Sequence, residues 1–283
     1  MLRVAIAGDL HGQWDDHDEA VLRRLQPDAL LLVGDLADGD GRLGRRLASL
    51  PLPAACILGN HDAGRDASGR TMARMDQALG DLHCPWSLRW LDPPGLAVVG
   101  GRPGSAGGGF NLSQAVQAHW GPLDLLQSAE RISTAALAAP EGRPLVLLAH
   151  CGPSGLGSAA SDPCGRDWKR PALDWGDLDL REALQRIRRQ RPVPLVVFGH
   201  MHHRLRSGGS RRRLLRDGQG TIFFNAACVP RHGHDDGGRP VRQFSWVDLN
   251  DAGGVEAVRL CWHDSEGVVR AQDDLLSSEP VAC

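Results

Sequence analysis

Nine residues of this chain could do metal and acid–base chemistry, and each stands at or just beyond the end of an apolar run. Asp9 and His11 follow Leu2–Ala7, Asp35 follows Ala29–Val33, and Asn60, His61 and Asp62 follow Ala54–Leu58. His150 follows Leu145–Ala149, and His200 and His202 follow Leu195–Phe198. Gly8, Gly34, Gly59 and Gly199 lead into four of the five endings, and glycine lets backbone and ligand approach closely. Side chains two apart share a side of extended chain, so Asp9 with His11 and His200 with His202 can turn to a common point. His203 then points away. Carboxylates, imidazoles and one amide oxygen are donors for divalent transition ions. There are too many for one tetrahedral ion. They suit two ions of higher coordination sharing a carboxylate, a recurrent device for displacement at phosphorus.

The elements that must position these residues follow from periodicity. The five runs read as strands buried on both faces. Between the first three lie amphipathic helices, at Trp14–Leu25 before Pro27 and at Arg42–Leu50. Strand, helix, strand, helix, strand with short links predicts a parallel sheet, and its chemistry belongs beyond the strand carboxyl ends. Further helices are predicted at Thr71–Leu79, Ser113–Trp120, Leu123–Leu137 and Leu178–Arg189, with a hairpin around Asp92-Pro93-Pro94-Gly95. Leu205, Leu214–Leu215, Thr221–Asn225, Gln243–Leu249 and Val255–Trp262 read as antiparallel strands. The expected organisation is one domain over residues 1–263 and a loose polar tail over 264–283.

Composition bounds the rest. The chain has 283 residues, 42% hydrophobic and 23% charged, with a net charge of −2. That balance gives no global attraction to nucleic acid or anionic membrane. No apolar stretch reaches the ~18 residues of a membrane span. The seven cysteines are scattered and contain no Cys-x-x-Cys pair, which argues against a thiolate zinc site and for reduced thiols. The expected location is the cytoplasm. Lys169 is the only lysine among 32 basic residues, so an abundance of arginine is a poor guide to function here.

The series Asp-x-His, Gly-Asp, Gly-Asn-His-Asp, His and Gly-His-x-His, in this order from Asp9 to His202, resembles the calcineurin-like metallophosphoesterase superfamily. The resemblance implies an α/β fold, a four-layer α/β/β/α sandwich of two mixed sheets flanked by helices. It implies a dinuclear site at the strand ends: Asp9, His11 and His202 on one ion, Asn60, His150 and His200 on the other, Asp35 bridging both. His61 would assist the leaving group and Asp62 would orient His61. The activity implied is hydrolysis of a small phosphomonoester or phosphodiester, nucleotides included, by a metal-bridging hydroxide. The ions would be Mn, Fe, Zn, Ni or Mg. Protein phosphatases of the superfamily continue Gly-Asp-x-x-Asp-Arg-Gly, whereas this chain reads Gly34-Asp35-Leu36-Ala37-Asp38-Gly39-Asp40. A nuclease, a protein phosphatase or a non-catalytic metal-bearing scaffold are the alternatives.

Substrate contacts are expected from two loops. Gly152–Trp175 leaves directly from His150 and must rim the site; long unstructured loops are functional lids or disordered. Within it Arg166, Lys169 or Arg170 could clamp an anion and Trp168 or Trp175 stack on a base; the alternative is a packed loop anchored by its tryptophans. Gly100–Gly109, with Arg102, could form a second rim through its backbone amides. The arginines from Arg204 to Arg216 read as the solvated face of a hairpin, and Asn225 as a buttress.

Overall fold

A computed structural model describes residues 1–277. In chain order the elements are β1 (Leu2–Gly8), α1 (Asp16–Leu25), β2 (Ala29–Val33), α2 (Gly41–Ala48), β3 (Ala54–Ile57), α3 (Arg70–Leu79), β4 (Leu88–Leu91) and β5 (Leu96–Gly100). There follow α4 (Gln114–Trp120), α5 (Leu125–Leu137), β6 (Leu145–Leu148), α6 (Leu178–Arg188), β7 (Leu195–Phe198), β8 (Leu214–Arg216) and β9 (Ile222–Asn225). The chain closes with β10 (His232–His234), β11 (Pro240–Leu249), β12 (Val255–His263) and β13 (Val269–Leu276).

Two mixed sheets form. The first runs β13-β12-β11-β1-β2-β3, with β10 on β11, and the second runs β4-β5-β6-β7-β9-β8. Alternation along each strand divides the core. Val4, Ile6, Leu31, Val33 and Ile57 from the first sheet join Val98, Val146, Leu148, Val197 and Phe224 from the second in one buried cluster. The opposite faces, with Ala5, Leu30, Leu32, Val99, Leu147 and Val196, pack with helix residues such as Val21, Leu47, Met75, Ile132 and Leu184. Strands covered on both faces are therefore apolar throughout, and the layers are helix, sheet, sheet, helix.

The helices begin where local chemistry permits. Asp15 and Asp18 form a reciprocal capping box on α1, and Asp40 caps α2 through the Arg42 amide, satisfying amides that lack helical partners.

Three expectations are corrected. The segment from Asp264 is no loose tail as far as Leu276, because β13 pairs antiparallel with β12 from Val258 to His263. Its edge position leaves most side chains exposed, so no alternation marks it; residues 278–283 lie outside the described part. Strand β9 pairs parallel with β7, and only its partner β8 is antiparallel. Leu205 lies in no strand.

Candidate metal centre and its rim

Chain reversal at the strand ends brings the predicted donors together. Asp9, His11 and His202 present ligand atoms within 4.8 Å of one another, and so do Asp35, His150 and His200. Ligands about 2.1 Å from one ion stand about 3–4 Å apart. Asn60 joins the second group, its Oδ1 lying 3.1 Å from His150 Nε2. Asp35 Oδ2 is 3.4 Å from His150 Nε2 and 3.8 Å from His11 Nε2, so one carboxylate oxygen faces both groups. Each group draws on both sheets: Asp9, His11, Asp35 and Asn60 leave the first, His150, His200 and His202 the second.

This convergence is reached through strain. Asp9, His11, Asp35 and His200 all have positive φ, between 45° and 66°. Non-glycine residues rarely adopt that region, and such strain collects at functional sites. The preceding glycines are required by crowding. A Cβ on Gly34 would lie 1.9 Å from His150 Nδ1, one on Gly59 2.2 Å from Asp35 Oδ1, and one on Gly199 2.0 Å from Asp9 Oδ2. Backbone amides complete the cage: His200 N donates to Asp9 at 3.0 Å and His61 N to Asp35 at 2.8 Å.

The electrostatics call for cations. Burial pushes the Asp9 carboxyl well above its usual pKa. Asp35 is held below its usual range, because His150 and the His61 amide outweigh its burial. Burial resists charge on His150, yet Asp35 and Asp9 raise it to about 9. His200 is pushed down to about 3 by burial and His150, and His202 to about 4 by burial and His11. Buried carboxylates are costly unless something positive sits among them, a place that a protonated His150 takes when no ion is bound. His11 Nε2, buried and turned toward Asp35, has no hydrogen-bond partner. The donor set thus fits two divalent ions of borderline character.

His61 opens a short 3₁₀ turn after β3. Its ring is exposed, 5.2 Å from the His11 ring, and lines a cleft of about 410 Å³ that also reaches Asp35, His200 and His202. The expected role of Asp62 is corrected. Its two oxygens accept the amides of Leu36, Ala37 and Gly59 rather than bonding the His61 ring. Asp62 fastens the loops after β2 and β3 to each other. Sequence reasoning missed Asp38, whose Oδ1 lies 3.3 Å from His11 Nδ1; the Gly-Asp-x-x-Asp spacing was the available signal.

The rim differs from expectation. Arg102 is buried away from the cleft, paired with Asp177 at 2.6 Å and Asp179 at 3.2 Å and donating to the Asn111 carbonyl. It is corrected from substrate contact to a structural tie. The glycines at 107 and 108 make room for Trp175, which a Cβ on either would strike at under 3 Å. Arg166 is buried, donating to the Pro171 carbonyl with its guanidinium 4.8 Å from the Trp175 ring centroid, so it too is corrected from anion clamp to support. Trp168 does line the cleft. The loop it belongs to is ordered by backbone bridges from Pro153 to Asp177 and Gly165 to Asp174. Arg204, Arg206 and Arg211 line the cleft, but Arg211 is largely buried and donates to the carbonyls of Ala160, Asp162, Gly165 and His202. Asn225 ties the His200–His202 turn in place through the Met201 carbonyl, and its own carbonyl meets His203 Nε2 at 2.9 Å.

Two sheets that converge buried carboxylates and imidazoles at their strand ends define a metal-dependent hydrolase. The chain belongs to the calcineurin-like phosphoesterases, whose family model matches residues 2–204. Members are generally dinuclear metal phosphoester hydrolases, and this chain is accordingly a metal-dependent phosphoester hydrolase. No curated protein matches it. Among solved structures it resembles the Thermus thermophilus protein TT1561, with 11% identity, TM-score 0.53, and 93% of this chain and 99% of that one covered. It also resembles a dimetal phosphatase from Danio rerio, with 13% identity, TM-score 0.52, and coverage of 98% and 99%. A third is a 5'-nucleotidase precursor from Thermus thermophilus, with 15% identity, TM-score 0.51, and coverage of 98% of this chain but 54% of that one. At these identities the likeness is one of fold.

Proposed function

We propose that this protein hydrolyses a small phosphomonoester or phosphodiester at a two-metal centre. Asp9, His11 and His202 would hold one ion, Asn60, His150 and His200 the other, and Asp35 would serve both. The observation that carries the reading is the Asp35 carboxylate, with one oxygen facing an imidazole of each group. Bound divalent ions supply a nucleophile at neutral pH and neutralise charge on the phosphoryl oxygens. The chain's own residues do the rest. Asp62 and the His61 amide fix the loops that carry Asn60 and Asp35. His61, exposed at the cleft beside His11, donates a proton to the departing oxygen or stabilises charge there. Asp38 positions the His11 ring, as outer carboxylates position metal-bound imidazoles elsewhere.

The described cysteines are all free, which supports action in the reducing cytoplasm. Among the described residues no helix is long and apolar enough to cross a membrane. The test is hydrolysis of p-nitrophenyl phosphate and bis-p-nitrophenyl phosphate by protein loaded with Mn²⁺, then stripped with chelator and reloaded. Turnover should vanish on stripping and return on reloading. Loaded protein that cleaves neither ester refutes the proposal.

A further inference from the structure

We propose that the mouth of the metal cleft is a nucleotide subsite, with Trp168 taking the base and Arg204 and Arg206 a phosphate beyond the scissile one. This inference rests on the phosphoesterase reading and names its substrate class.

Trp168 leaves 41% of its surface exposed although it lines the cleft. Its ring lies edge-to-face with His200 at 6.5 Å, so the indole stands beside the proposed ligands rather than on a remote surface. It is also held. Trp168 packs edge-to-face on Trp175 at 5.4 Å. Trp175 in turn donates its Nε1 hydrogen to the Ala106 carbonyl at 2.9 Å, fills the space above Gly107 and Gly108, and lies against the Arg166 guanidinium. A fixed aromatic plane in contact with solvent beside a reactive centre is a stacking platform, and a base gains by covering it without ordering the protein further.

The charge beside it is open to a ligand. Arg212 and Arg213 are paired with Asp162 and Asp273. For the Arg204 and Arg206 guanidiniums there is no carboxylate within ion-pair range among the described residues. Asp167, which also lines the cleft, is occupied: it faces Arg211 at 3.8 Å and accepts the Arg206 amide at 2.9 Å. That hydrogen bond ties the backbone of the arginine turn to the residue preceding Trp168, so the turn that carries the cations lies beside the platform. Guanidinium is suited to phosphate. A cleft of about 410 Å³ is in the range that encloses a small ligand. A nucleic-acid strand would need a basic track many phosphates long, and the net charge of −2 speaks for a compact ligand.

The test is calorimetric binding to Mn²⁺-loaded protein carrying His61→Ala, so that turnover of the ligands is slow. Adenosine monophosphate and ribose 5-phosphate differ by the base; α,β-methylene adenosine diphosphate and adenosine monophosphate differ by one phosphate. The first pair should differ about tenfold in Kd, a difference that Trp168→Ala reduces to about twofold and Trp168→Phe largely restores. The second pair should differ by about five- to tenfold, a preference that Arg204→Ala with Arg206→Ala removes and the paired lysine substitutions partly return. Equal binding within either pair, or ratios that these substitutions leave unchanged, overturns the inference. Cleavage of p-nitrophenyl esters by the His61-bearing protein is scored separately. Its absence would fell the phosphoesterase reading, while the two binding ratios would still decide the subsite.

Discussion

Replacing Gly199 with alanine tests the crowding that builds the centre. Gly199 has no positive φ, so alanine can adopt its backbone and only the added methyl group matters. That Cβ would stand 2.0 Å from Asp9 Oδ2, and ordinary contact begins at 3.4 Å. The carboxylate must therefore retreat about 1.4 Å, several times the ±0.2 Å that metal–ligand distances tolerate. Asp9 is 1% exposed and pinned by the His200 amide, so it has no free space to turn into. Gly199→Ala should bind about one ion rather than two, and lose at least about 100-fold in turnover, as ångström misplacements at reacting centres do. Overpacking of this kind costs about 1–3 kcal/mol, a fall in Tm of roughly 2–12 °C for a chain of this size. Metal content after dialysis, p-nitrophenyl ester turnover and thermal unfolding read the three effects. Gly218→Ala, where the added Cβ meets nothing within 4 Å, is the control. Two bound ions and full turnover in Gly199→Ala would refute the steric account of the cage.

Three further outcomes are expected. His61→Ala should keep both ions in metal analysis and lose about 10²–10⁴ in turnover, the usual worth of proton transfer, whereas Asp35→Asn should lose metal as well. Arg211→Met strands four carbonyls around the His202 turn. It should cost roughly 3–5 kcal/mol in urea unfolding and weaken metal binding. Asp76 is held below the usual carboxylate range because hydrogen bonds from His83 and His119 overcome its partial burial. A lowered folded pKa stabilises above the unfolded value, about 3.9, and that stability is lost as pH falls through the folded one. Asp76→Asn should therefore lower the urea midpoint at pH 7, and the gap to wild type should close as the buffer is made more acidic than that carboxylate value.

What the sequence makes legible follows from what repeats in it. Asp9, Asp35, Asn60, His150 and His200 could be placed together because each ends an apolar run, and strand ends of one sandwich share an edge. The glycines before them signal close approach, though only the fold reveals that His150, Asp35 and Asp9 fill the space above them. Arginine is where reading failed. Arg102 and Arg166 sit in loops near the site, yet their charges are absorbed by Asp177, Asp179 and backbone carbonyls. Arg204 and Arg206 belong to a run that looks like solvent-facing decoration. Which guanidinium is already engaged depends on how the loops fold back on themselves and on each other, and with lysine all but missing the residue type carries no contrast. Asp62 misled for a related reason: adjacency to His61 in sequence suggested a contact, while its carboxylate points at amides from another strand end. Strand β13 was invisible because an edge strand shows solvent too much of itself to alternate.

Since each donor group takes members from both sheets, an ion seated there would act as a rivet through two leaves otherwise joined at that end by greasy contact and a few hydrogen bonds. Emptying the centre would therefore do more than silence it. The seam between the leaves would begin to part from the strand tips inward, and amides of the Asp9, Asp35 and His200 turns would be the first to trade their hydrogens with water.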